Sequence, residues 1–218
     1  MLLKEANTLL NAIKFELYKL FTSKKLYIII IVVGALNVLA AAGVYMVNHI
    51  DQIDEKVLIN GQSFPAFTLG QFATQFFPIL LIILLSGIIA DEYRDGTLKL
   101  TLLKPIKRSE VLLSKIFIII LSIILLLGAS LVSGYLVGTV LFGWGEGFII
   151  PHSQQTLTIM EGIVRTVIAY GFTLLPFLAF SLAVLLVSIL INNSGMVLGA
   201  SIGIFFLLQV ITGMSQDI

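Results

Sequence analysis

The side chains able to do chemistry are few and scattered. Over 218 residues there are 12 acidic residues, 13 lysines and arginines, two histidines and no cysteine. His49 and His152 lie far apart, so there is no H-E-x-x-H pattern and no His-rich metal site. The absence of cysteine removes a thiol nucleophile, a thiolate metal site and a disulfide framework. No G-x-x-x-x-G-K-[ST] loop cradles a phosphate and no G-x-S-x-G elbow presents a serine. The acid pairs Asp54-Glu55 and Asp91-Glu92 sit in polar segments and read as solvated carboxylates. The chain is therefore expected to hold no catalytic, cofactor or metal site of its own.

What stands out is where the charge is concentrated. Asp91–Lys115 holds ten of the 25 charged residues and is flanked on both sides by long apolar runs. The chain is 58% hydrophobic and 11% charged, against roughly 25% charged for soluble domains. Its mean hydropathy is +1.08. These values predict an all-α, polytopic helical membrane protein, a single transmembrane domain over 1–218. The net charge of +1 carries no message for nucleic acid. The first 25 residues hold five lysines and no unbroken apolar run, unlike a cleaved signal peptide.

The elements that hold the charged island follow from periodicity. Within 1–25, the residues Ala6, Leu9, Leu10, Ile13, Leu17, Leu20 and Phe21 recur at helical spacing as one apolar stripe. Such a helix rests in a membrane interface, with Tyr18, Lys19, Lys24 and Lys25 toward headgroups. Phe15 falls off the stripe, free to face a partner. The alternative is an amphipathic helix packed on protein. Spans are expected over 26–46, 68–90, 111–142, 163–191 and 196–212, with a cytoplasmic polar segment over 91–110. Polar external loops occupy Val47–Phe67, with turn formers Asn60-Gly61 and Pro65, and Gly143–Met160, with Trp144 at headgroup level. The run Val111–Phe142 would make a helix of about 48 Å, beyond a hydrocarbon core of about 30 Å. Pro176 is expected to kink the fourth span.

Two stripes of small residues recur every four positions: Ser130, Gly134 and Gly138, then Gly195, Gly199 and Gly203. This spacing lets helix backbones approach closely. Asn37, Gln71, Gln75 and Gln209 are the span amides able to meet a cargo, with interhelical hydrogen bonding as the alternative for each. Glu161 and Arg165 are spaced to pair along a helix face. The middles of the five spans lack ionisable side chains, which argues against an ion-coupled carrier or channel. Eleven of the 13 basic residues fall in Met1–Lys25 or Asp91–Lys115. By the positive-inside rule both segments are cytoplasmic.

At the island the sequence resembles the membrane subunit of ATP-driven exporters, the ABC type-2 permease family. The residues that carry this are Ile89–Leu98, then Leu102-Leu103-Lys104-Pro105-Ile106-Lys107-Arg108, then Leu113-Ser114-Lys115. Phe15–Leu20 followed by Lys24-Lys25 is similar to the family's interfacial elbow helix. The resemblance implies a bacterial plasma-membrane permease with a cytoplasmic N-terminus, working as a dimer, homomeric or heteromeric. It also implies a separate P-loop ATPase that binds the ATP and Mg. The expected cargo is amphipathic or apolar: a peptide, a lipid-like molecule or a drug. The ATPase-coupling residues would be Glu92, Arg94, Gly96, Thr97, Leu98, Leu102, Leu103, Lys104, Pro105 and Arg108. Gly96 can end a helix and Pro105 cannot continue one, so a short element is bounded between them. The alternative is a basic loop on anionic lipid. The family usually has six spans, where five are visible here. A non-transporting adaptor or immunity protein is the rival function.

Overall fold

The computed structural model describes residues 2–49, 59–86, 108–150, 156–191 and 193–216. Among them the elements are helices α1 (Leu2–Thr22), α2 (Lys24–His49), α3 (Phe64–Ala73), α4 (Phe76–Leu85) and α5 (Arg108–Phe142). There follow strands β1 (Phe148–Ile149) and β2 (Thr156–Leu157), then helices α6 (Ile159–Leu190) and α7 (Ser194–Gln216). Four helices, α2, α5, α6 and α7, are each long and apolar enough to cross a membrane, and a fifth span results if α3 and α4 count as one broken crossing. The protein is an all-α polytopic membrane protein.

Local chemistry explains the boundaries. Ser23 separates α1 from α2, and its Oγ accepts from the Lys25 N–H at 3.2 Å, an N-cap contact. At the end of α1, Thr22 Oγ1 donates to the Tyr18 carbonyl at 2.7 Å. Asn193 Oδ1 caps α7 by accepting from Gly195 N at 2.9 Å. Beyond α5, Gly143 takes φ +71°, the left-handed conformation that terminates a helix and that glycine adopts freely.

The second crossing departs from the sequence reading. A continuous span was expected over 68–90; the helix instead starts at Phe64 and breaks at Thr74-Gln75, with 87–90 outside the described residues. Pro78 accounts for the break. In an unbroken helix its ring would press on the Thr74 carbonyl, and it has no N–H to donate there. Placed in the first turn of α4, where N–H groups lack intrahelical partners anyway, the proline is tolerated. Pro65 likewise sits in the first turn of α3. Pro176, in contrast, lies inside the continuous helix α6.

The described chain forms two compact units. One comprises Met1–Leu26, Phe76–Ile123 and Phe177–Ile218. Its core contains Phe77, Leu81, Ile82, Ile119, Phe177 and Val197, with Phe77 edge-on to Phe177 at 6.0 Å and Phe180 edge-on to Phe205 at 6.0 Å. The other comprises Tyr27–Gln75 and Ile124–Pro176. Its core contains Val33, Ala41, Phe64, Phe72, Leu126 and Tyr170, with the Phe64 and Phe142 rings 5.5 Å apart. It also holds the antiparallel pair β1–β2, in the register Phe148↔Leu157. Large apolar side chains such as Ile31, Val140, Phe172 and Leu190 remain exposed along the spans. In water such a surface would aggregate, whereas in hydrocarbon it is solvated.

Candidate functional site

The residues singled out by sequence fall into very different surroundings. Glu92, Arg94, Gly96, Thr97, Leu98, Leu102, Leu103, Lys104 and Pro105 lie outside the described residues; Arg108 is the first residue of α5. This helix runs unbroken for 35 residues, about 52 Å at 1.5 Å per residue. The charged island therefore opens directly onto a single long rod.

On α1, Phe15 and Tyr18 are exposed (62% and 71%) and Lys14, Lys24 and Lys25 are also exposed, whereas Glu16 and Leu20 are buried. Glu16 and Leu20 are one helical turn apart, so one narrow face of α1 packs and the aromatic face does not. Lys19 is half-buried. Glu16 Oε1 accepts from Lys115 Nζ of α5 at 2.8 Å, and the Lys115 side chain is 2% exposed. Sequence reasoning took Lys115 as the residue opening the third span and gave Glu16 no partner. The two charges are opposite in sign, but Glu16 lies between Lys14 and Lys19 in the sequence, and nothing local singles out Lys115 as its partner.

The first small-residue stripe receives the start of α3. A Cβ on Gly138 would stand 2.8 Å from Phe64 Cβ and 2.9 Å from the Gly61 carbonyl oxygen, and one on Gly134 would stand 3.3 Å from Pro65. Ser130 continues this face: its Oγ lies 3.3 Å from Tyr170 Oη, which donates to the Pro65 carbonyl at 3.2 Å. Tyr170 thus stitches α3, α5 and α6. The second stripe is different. Gly199 and Gly203 are exposed with nothing within 4 Å of an added Cβ, and Gly195 meets only its own cap residue Asn193.

Next to the first stripe lies a polar turn, within the stretch Val47–Phe67 expected as a polar external loop. Asn60, Gly61, Gln62 and Ser63 are all buried. Asn60 Nδ2 donates to the Gly147 carbonyl and to Gln62 Oε1, while its Oδ1 accepts from Ser63 N at 3.1 Å. Gln62 Nε2 donates to the Gly145 carbonyl at 2.8 Å, and Gly61 N donates to the Gly143 carbonyl at 2.9 Å. A Cβ on Gly61 would meet the Gly143 carbonyl at 2.6 Å and Thr139 Cα at 2.8 Å, so only glycine fits there. Phe148 of β1 lies over Gly162 of α6, where a Cβ would overlap its ring. Residues 60–63 and 143–147 are therefore joined into a hydrogen-bonded cap. Here the polar atoms are consumed by one another.

Of the amides able to meet cargo, Asn37 is fully buried on α2. Its Nδ2 donates to Ser133 Oγ at 2.9 Å and to the Val33 carbonyl at 3.1 Å, and its Oδ1 has no protein partner. Gln71 and Gln75 are exposed, and Gln209 is half-buried. Glu161 and Arg165 pair as their spacing predicts, at 2.6 Å and largely exposed. No cluster of metal-ligating side chains occurs among the described residues.

Comparison with known proteins places this architecture. Residues 10–218 match the sequence profile of the ABC-2 family transporter proteins. A segment of 67 residues is 36% identical to YhcI of Bacillus subtilis (strain 168), itself an uncharacterized protein; this is 31% of the chain but covers only about a fifth (21%) of that relative. A match over nearly the whole sequence, joined to an apolar helical fold with a long α5 rising from a charged segment, makes this chain a member of the ABC-2 family of membrane transporter proteins.

Proposed function

We propose that the chain is the membrane-spanning subunit of an ATP-driven exporter in a bacterial plasma membrane. Family permeases generally work with an ATPase subunit. In this reading the partner is a P-loop ATPase that binds ATP and Mg, and 91–110 is the cytoplasmic element it grips. A second permease subunit, identical or related, completes the translocation path. The open face at Gly199 and Gly203 suits a close helix approach by that subunit. The cargo is amphipathic or apolar, since the path offers a few amides and apolar surface. The observation that carries the reading is the position of Arg108: the sequence segment dense in charge ends where a continuous 35-residue helix begins. A helix pushed at one end moves along its whole length, whereas a flexible connection would absorb the motion.

The test uses Leu102→Asp/Leu103→Asp. The reading expects normal membrane insertion with loss of ATPase pull-down and of cargo-stimulated ATP hydrolysis in reconstituted membranes. Gln52→Asp, placed in the first external loop, is the control and should change neither. Unchanged binding and unchanged stimulation in the double variant would refute the assignment and leave 91–110 as a basic segment on lipid.

A further inference from the structure

The Lys115–Glu16 contact is the deepest charge pair among the described residues, at 2.8 Å with side chains 2% and 10% exposed. Both partners have been taken out of water. Such a pair gains little net stability, because the desolvation of two ions offsets their attraction. What it supplies is geometry: each charge tolerates only the arrangement in which the other is present. Apolar contacts alone would let α1 slide or rotate, since one aliphatic neighbour substitutes for another.

From Leu10 onward, much of the apolar surface of α1 is left uncovered. Leu10, Phe15, Tyr18 and Phe21 are exposed, and Leu20 is the buried apolar residue that shares the Glu16 face. On the other side, Lys115 lies two helical turns beyond Arg108, with Ser114 beside it also buried and Leu112 and Leu113 exposed. The pair therefore fastens α1 to α5 close to the point where the charged segment joins that helix.

We infer that Glu16 and Lys115 are a positioning pair that makes α1 travel with the start of α5, so that displacement of the segment ahead of Arg108 is delivered to α1 as well. The inference rests on the reading of 91–110 as the ATPase-facing element. Neither residue touches ATP or cargo; each acts by holding the other.

The test uses the permease–ATPase complex in liposomes, with three readouts: ATPase pull-down, ATP hydrolysis, and cargo moved per ATP hydrolysed. Glu16→Gln and Lys115→Met should retain the ATPase and its basal hydrolysis while cargo moved per ATP falls by about tenfold, within the range of pairwise couplings in buried charge networks. The swap Glu16→Lys/Lys115→Glu should restore most of that ratio. A second route exploits the lack of cysteine. Glu16→Cys/Lys115→Cys should be uncoupled until a short bifunctional thiol reagent joins the two helices, and coupled again afterwards. Transport per ATP unchanged in the single variants would overturn the inference. So would a swap that inserts and binds the ATPase yet stays uncoupled, or a cross-link that blocks transport. Failure of the unsubstituted chain to bind any ATPase is a separate outcome, which removes the proposed function and this inference with it.

Discussion

At the scale of single residues, the two small-residue stripes make opposite predictions. Gly138 has Phe64 and the Gly61 carbonyl against the space a methyl would fill. Gly138→Ala should destabilise by about 1–3 kcal/mol through overpacking. Gly203 has open space, so Gly203→Ala should be stabilising by about 0.5–1 kcal/mol, because alanine costs less backbone entropy in a helix. Asn60→Ala belongs with the first case. It strips a donor from the Gly147 carbonyl and from the buried Gln62 Oε1, and each buried group left unsatisfied costs about 1–3 kcal/mol. Denaturant unfolding in detergent, followed by the fluorescence of the single tryptophan, Trp144, checks all three. That probe sits between Gly143 and Gly145, inside the cap that Asn60 holds. A Gly138→Ala variant as stable as the unsubstituted chain would show that α3 shifts freely on α5.

At the scale of elements, the break between α3 and α4 is assigned to Pro78. Pro78→Ala returns an N–H and removes the clash with the Thr74 carbonyl. Helix is then expected to propagate through Thr74-Gln75. Spin labels at the exposed positions Gly70 and Ile83 should move apart toward about 20 Å, the length of 13 residues of straight helix. An unchanged distance would mean that packing of Phe64 and Pro65, rather than the proline, sets the break. This element also shows what sequence could and could not tell. The apolar run and Pro78 were both legible, and so were the long α5 and the Glu161–Arg165 pair, because hydropathy and i,i+4 spacing are local. The burial of Asn60–Ser63 was not, because its partners are carbonyls more than 80 residues away. Backbone carbonyls carry no sequence signature. The Glu16–Lys115 pair was not legible for the same reason: 99 positions separate the two, and Glu16 has Lys14 and Lys19 as nearer basic neighbours.

At the scale of the whole molecule, the charge distribution predicts an orientation. Eleven of 13 basic residues precede Leu26 or fall within 91–115, so a reporter inserted after Lys99 should be cytoplasmic and one inserted after His152 external. The reverse labelling pattern would put the proposed ATPase contact on the wrong side of the membrane. The spans themselves need an apolar surrounding: between 17% and 39% of the spanning window of each of the four continuous spans is buried in the protein itself. Hydrocarbon, or another subunit, must cover the remainder, since lipid-facing helices satisfy their backbone internally and need only apolar side chains outward.

The separation of Glu16 from Lys115 also has a meaning in time. The two residues are 99 positions apart, so a ribosome adding about 5–20 residues per second makes the acid about 5–20 s before the base that neutralises it. Throughout that interval Glu16 lacks this partner, and a carboxylate without one is costly to bury. The Glu16 contact of α1 can therefore form only once Lys115 of α5 has been made.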